Sequence, residues 1–161
     1  MEKEITKVNK IKKVKNFKLP MNGGKNFNLS DFKGKKIVLY FYPKDSTPGC
    51  TQEGHDFSAL KKKFEEKNTV ILGVSRDSVV SHDKFINKEN FKVDLLSDSD
   101  ETVCNLFSVI KEKNMYGKKV MGIERSTFVL DENQNLVKEW RKVKVEGHAQ
   151  EVLDFIKEMD K

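Results

Sequence analysis

Apolar residues in this chain fall into short runs separated by polar stretches, and the spacing within each run sets an expectation for its conformation. Lys36–Tyr42, "KIVLYFY", is apolar almost without alternation, which predicts a strand buried on both faces of a sheet. Thr69–Ser75, "TVILGVS", reads the same way, and a shorter strand is expected near Val93–Leu96. Between the first two runs, Phe57, Leu60 and Phe64 recur at helical spacing, with Lys61–Lys63 and Glu65–Glu66 turned outward. Further helices are expected around Val79–Lys88, over "SDSDETVCNLF", and across Ala149–Met159, where Val152, Phe155, Ile156 and Met159 share one face. "RSTFVLDENQNLVKEWRKV" reads as a hairpin of strands 126–131 and 135–143, with Asn133 or Asn135 as the left-handed turn residue.

The order β–α–β–α–β–α–β–β–α follows. Parallel strands need helical crossovers, so the first half implies an α/β sheet covered on both faces. The hairpin adds antiparallel strands, and the last helix covers one face. The expected fold class is α/β, thioredoxin-like, with a central mixed sheet flanked by helices. At 161 residues and 18.6 kDa the chain suits a single domain over 14–161, preceded by a lysine-rich leader over 1–13.

Charge changes this picture little. Residues 1–20 hold seven Lys and two Glu, so nearly all of the net charge of +6 sits at the start. A nucleic-acid binder would spread basic residues over a folded face with interleaved aromatics, so no specific nucleic-acid partner is expected. No stretch approaches the roughly 20 apolar residues of a membrane span, and the N-terminus has no apolar block for a secretory signal. A cytoplasmic, monomeric protein is expected.

Candidate chemistry centres on sulfur. The chain has two cysteines, Cys50 and Cys104, too few for a disulfide framework. His55, His82 and His148 are scattered without metal-ligand spacing, the last two in polar stretches. Cys50 follows the turn formers "PKDSTPG", just past the carboxyl end of a strand, where function collects in α/β sheets. It also stands at or near the start of a helix, whose unpaired N–H groups and partial positive charge favour thiolate over thiol. A free cysteine is only about 3% thiolate at pH 7. A reactive thiol of this kind still needs neighbours that stabilise charge developing on its substrate.

"FYPKDSTPGCTQE" resembles the active-site segment of peroxiredoxins, a Pro, three residues, Thr or Ser, two residues, Cys; Pro43, Thr47 and Cys50 fill those places. The longer string "YFYPKDSTPGCTQE" looks most like the bacterioferritin comigratory protein (Q-type) branch. Similarity continues through "ILGVSRDS", "HDKF", "LLSDSDETVCNLF" and "IERSTFVLDENQNL", covering roughly residues 14–158.

The resemblance implies that Arg125 lies beside the peroxidatic sulfur. It also implies that Thr47 hydrogen-bonds sulfur and peroxide, and that Pro43 shields the thiolate. The implied reaction is attack of the Cys50 thiolate on a peroxide O–O bond, giving a sulfenic acid. The implied substrates are hydrogen peroxide and organic hydroperoxides, with no metal, haem or flavin. Glu53 stays ambiguous, since first-turn acids also complement the helix dipole.

The pattern breaks at recycling. Many members of this branch carry a resolving cysteine five residues after the first, where this chain has His55; others place it near Ile86, where there is none. Cys104 reads as a buried structural thiol. A one-cysteine cycle is expected, with thioredoxin, glutaredoxin or a small thiol as reductant. The alternatives are a two-cysteine cycle resolved by Cys104, or a non-catalytic thioredoxin-fold binding protein. A thioredoxin-type disulfide reductase would need Cys-x-x-Cys, and Glu53 occupies that position.

Overall fold

The computed structural model describes residues 12–160. The leader expected over 1–13 therefore lies outside the described residues up to position 11, while Lys12–Lys13 form a short strand, β1, paired with the end of the sheet. The remaining strands are β2 (Lys18–Met21), β3 (Lys25–Asn28), β4 (Lys36–Phe41), β5 (Thr69–Ser75), β6 (Asp94–Ser97), β7 (Ile110–Met115), β8 (Lys118–Ile123), β9 (Ser126–Leu130) and β10 (Asn135–Arg141). The helices are α1 (Pro48–Glu65), α2 (Val79–Glu89), α3 (Thr102–Leu106) and α4 (His148–Met159).

One eight-stranded mixed sheet has the order β1-β10-β9-β4-β5-β6-β2-β3. Strands β4, β5 and β6 run parallel, and β9 returns antiparallel to β4. β4 is the centre, and all six of its residues are buried. Its side chains alternate between two cores, as a strand covered on both faces requires. Ile37, Leu39 and Phe41 join a core with β2, β3 and α3 residues such as Leu19, Phe27 and Val103. Val38 and Tyr40 join the opposite core with Phe57 and Phe64 of α1, Phe85 of α2, and Val152, Leu153 and Ile156 of α4. The expected thioredoxin-like, doubly covered sheet is present.

Three features differ from the sequence reading. The β7–β8 hairpin, absent from the expected order, forms a separate two-stranded sheet. Its strands, "IKEKNM" and "KKVMGI", are largely solvent-exposed, so no apolar run announces them. Tyr116 and Gly117 both have positive φ (53° and 79°) at its tip, as a tight two-residue hairpin turn demands. The β2–β3 pair was likewise missed, because each strand is four residues long and only Leu19 and Phe27 are buried.

In the β9–β10 turn the left-handed residue is neither Asn133 nor Asn135 but Gln134, at φ 66°. Asp131 Oδ1 accepts from the backbone N–H of both Asn133 and Asn135, and the buried Gln134 amide donates to Leu29 O. Those bonds tie the turn to its neighbour and outweigh the backbone preference of asparagine.

Candidate active site

The sheet order explains how residues 75 positions apart meet. Because β9 is antiparallel to β4, Ser126 at the start of β9 pairs with Phe41 at the end of β4. Arg125 therefore sits at the carboxyl edge of the sheet, beside the loop that leads from β4 into α1. Its carbonyl accepts from Val143 N at 3.0 Å, fixing the backbone there.

α1 starts as its sequence dictates. Thr47 is the N-cap with extended backbone, and Pro48 takes the first helical position, where no N–H is needed. Cys50 is the third residue of the helix, inside the turn whose N–H groups have no helical acceptor. It is 2% exposed. Arg125 Nη2 lies 3.6 Å from Cys50 Sγ. Gly49 leaves room for this approach, since a Cβ there would stand 3.0 Å from Arg125 Nη2 and press on the guanidinium.

The other guanidinium nitrogen is held by Glu53. Arg125 Nη1 donates to Glu53 Oε1 at 2.6 Å. Glu53 follows Cys50 by three positions, so both side chains lie on one face of α1. This acid does more than complement the helix dipole. It is 1% exposed, and its Oε2 is the only buried side-chain polar atom without a partner among the described residues. Burial pushes its carboxyl up to about 7, against the pull of Arg125. Burial works against the Arg125 charge too, but Glu53 and Cys50 outweigh it and hold the guanidinium protonated. Tyr40, beneath them on β4, is kept neutral by burial and then by the neighbouring Glu53 and Cys50.

Thr47 and Pro43 lie on the same loop and are half-buried. The Thr47 hydroxyl donates to Lys44 O at 2.8 Å, so in this state its proton is engaged by the loop rather than by sulfur. Its carbonyl receives the Thr51 N–H and hydroxyl.

Asp45 anchors the loop. Its Oδ1 accepts from Tyr42 Oη at 2.6 Å and its Oδ2 from Ser81 Oγ at 2.7 Å, while His82 Nδ1 stands 2.8 Å from Oδ2. His82 Nε2 faces the Leu96 carbonyl at 2.9 Å, so that nitrogen carries a hydrogen. Burial raises the Asp45 carboxyl, but its bonds to His82 and Tyr42 outweigh this and lower it. The Asp45 carboxylate and the Leu96 carbonyl thus hold the two sides of the His82 ring, tying α2 to the loop.

Asp45 and His82 were not recognised as site supports in the sequence; "HDKF" stood in a polar stretch, yet His82 is fully buried. His148 also turns inward, with Nε2 2.8 Å from Thr127 Oγ1. His55 instead sits on the surface, where Nε2 meets Glu89 Oε1 at 2.8 Å and the ring packs edge-on to Phe91, joining α1 to the end of α2. Among the described residues no group of three or more His, Cys, Asp and Glu side chains is placed to hold a metal ion.

Cys104 is not part of this constellation. It is fully buried in the core on the face of the sheet opposite Cys50. Its N–H and that of Val103 donate to the buried Asp98 carboxylate. Burial, and then Asp98, push its thiol far above the usual range, so it stays protonated.

Residues 11–139 match the model of the AhpC/TSA family. The chain is 57% identical to peroxiredoxin Bcp of Xanthomonas campestris over 139 residues, 86% of this chain and 87% of that protein. It is 49% identical to peroxiredoxin Bcp of Bacillus subtilis over 147 residues, 91% and 94% of the two chains. A solved structure of the Xanthomonas campestris bacterioferritin comigratory protein superposes with a TM-score of 0.86 at 54% identity, covering 90% of this chain and 92% of that one. A cysteine-to-serine variant of Xylella fastidiosa PrxQ gives 0.88 at 49% identity, with 92% of each chain covered. With the thiol at a helix N-terminus on a thioredoxin-like sheet, these likenesses settle the matter: the chain belongs to the AhpC/TSA family, in its bacterioferritin comigratory (Q-type) peroxiredoxin branch, the thiol-dependent peroxidases.

Proposed function

We propose that Cys50 is the peroxidatic cysteine and that the enzyme runs a one-cysteine cycle. The observation that carries this is the 3.6 Å approach of Arg125 Nη2 to Cys50 Sγ at the start of α1. The Cys50 thiolate attacks the distal oxygen of a hydroperoxide, the O–O bond breaks, and the departing oxygen takes up a proton to leave as water or alcohol. Arg125 stabilises the thiolate and the charge that grows on the leaving oxygen, which rigid donors in a dry site do at little reorganisation cost. Thr47 turns its hydroxyl from Lys44 O to the incoming peroxide, and Pro43 screens one side of the sulfur.

Hydrogen peroxide and alkyl hydroperoxides are the substrates; the Xanthomonas campestris relative is described by its alkyl peroxide reduction activity. An external thiol then reduces the sulfenate, because Cys104 lies across the sheet and His55 stands where a nearer thiol would be. Thioredoxin and glutaredoxin are the protein donors of this kind. A monomer in the cytoplasm completes the reading. It is consistent with two unpaired cysteines and with the absence, among the described residues, of a helix long and apolar enough to cross a membrane.

The test is a single turnover. Reduced protein is mixed with one equivalent of peroxide and a sulfenate-trapping reagent, and the adduct is mapped by mass. An adduct on Cys50 within seconds is expected; a Cys50 thiol that survives the exposure contradicts the assignment.

A further inference from the structure

A cleft of about 370 Å³ runs beside Arg125, between the base of the β7–β8 hairpin and the segment that follows β10. Its charged lining is Lys111, Lys113, Arg125 and Lys142 against Glu112 and Glu124. Glu112 also faces Lys119 across the hairpin at 3.7 Å, so the cations are in excess. Lys113 is pinned rather than free, because Nζ donates to Ile123 O at 2.6 Å. A Cβ on Gly122 would lie 3.5 Å from Lys113 Cδ and 3.8 Å from Arg76 Nη2, so these two cationic side chains converge over the glycine. Burial, then Arg125 and Arg76, push the Lys113 ammonium down, and Glu124 and Cys50 pull it up only in part. Arg125 and Arg76 are paired with Glu53 and Glu101, so the excess positive charge beside Arg125 rests on Lys111, Lys113 and Lys142.

That charge suits the resolving step better than the oxidising one. The reacting end of a hydroperoxide is neutral, whereas the nucleophile that attacks a sulfenate is a thiolate. Small thiols are mostly protonated at pH 7, and adjacent cations draw them into the ionised form. The cleft is also at the lower end of small-ligand pocket sizes, and its mixed lining matches an amino-acid-type molecule with carboxylates in excess over ammonium.

We propose that this cleft binds a low-molecular-weight thiol bearing carboxylate groups and presents its sulfur to the Cys50 sulfenate, a proposal that rests on the one-cysteine reading above. The thiolate RS⁻ forms an S–S bond to Cys50 as the S–O bond of the sulfenic acid, Cys50–SOH, breaks. The hydroxide leaves with a proton as water. A second RS⁻ attacks the mixed disulfide, releasing RSSR and the Cys50 thiolate. The two thiols supply both electrons.

The test uses the full chain. Cys50 is oxidised with one equivalent of hydrogen peroxide, and a trapped aliquot confirms the sulfenate. The remainder is mixed with glutathione, with its diethyl ester, which keeps the ammonium but no carboxylate, or with cysteamine, at matched thiolate concentrations, and mixed disulfide is followed by intact mass. Glutathione should react about tenfold faster than either the ester or cysteamine at low salt. The gap should close at about 1 M salt and in the Lys111→Gln/Lys142→Gln variant, whose two sites are exposed.

Equal rates for the three thiols would overturn the proposal, as would a preference untouched by salt and substitution. So would a charge preference seen only when carboxylated and neutral hydroperoxides are compared in the oxidising step. A sample that forms no sulfenate on Cys50 strikes the one-cysteine reading instead, so the two failures are distinguishable.

Discussion

Cys50 and Cys104 are both buried thiols in short polar-to-apolar transitions, yet their surroundings act in opposite directions. Cys50 stands in the first turn of an 18-residue helix with a guanidinium 3.6 Å away. Cys104 lies on a five-residue helix, in a closed core, against the Asp98 carboxylate. A cation and unpaired N–H groups favour the charged sulfur; an anion and an apolar wall favour the neutral one. Burial alone therefore says nothing about a thiol's reactivity. What differs is the sign of the nearest fixed charge, and β4 keeps the two environments apart by sending alternate side chains to opposite faces.

The comparison breaks most visibly by removing its reactive half. Cys50→Ser should abolish peroxide reduction in a stopped-flow assay while the fold, followed by circular dichroism, persists. Arg125→Ala should cost about 100- to 1,000-fold in the rate of sulfenate formation, as the loss of one charge-stabilising donor does elsewhere.

Glu53→Gln sharpens the account of Arg125. The carboxyl is raised from 4.5 to about 7 by burial, so the folded chain holds this proton more tightly than the unfolded chain. Its contribution favours folding below pH 4.5 and is lost as pH rises through 7, a swing of about 3 kcal/mol. The glutamine variant lacks that swing. Its denaturation midpoint relative to the parent should therefore rise between pH 5 and pH 8. Its peroxidase rate should exceed the parent's most above pH 7, where ionised Glu53 offsets part of the Arg125 charge.

On the other face, Asp98→Ala leaves two buried N–H groups without acceptors. It should destabilise the protein by about 1–3 kcal/mol in urea denaturation while leaving single-turnover chemistry at Cys50 intact. Cys104→Ser carries the smallest expected effect, a peroxidase rate within about twofold of the parent.

How far the sequence revealed all this depends on where each signal lies. The strands β4, β5 and β9 and the helices α1, α2 and α4 were legible because their apolar residues fill cores on a fixed period. The β7–β8 hairpin was not, since a solvated ribbon leaves no apolar run and only Tyr116–Gly117 marks its turn. Cys50, Thr47, Pro43 and Arg125 are assigned through their motifs. Glu53 stays ambiguous in the sequence, because its burial beside Arg125 follows from the β4–β9 register rather than from neighbours in sequence. His82 was placed in a polar stretch for the same reason: the partner that draws it inward, Asp45, is 37 residues away.

The most direct test of the opposite-face account is differential alkylation and disulfide mapping after one equivalent of peroxide, with no external thiol present. The account predicts that Cys50 loses its free thiol as a sulfenate while Cys104 stays reduced and is alkylated only after unfolding. A Cys50–Cys104 disulfide formed at the rate of peroxide consumption would contradict it.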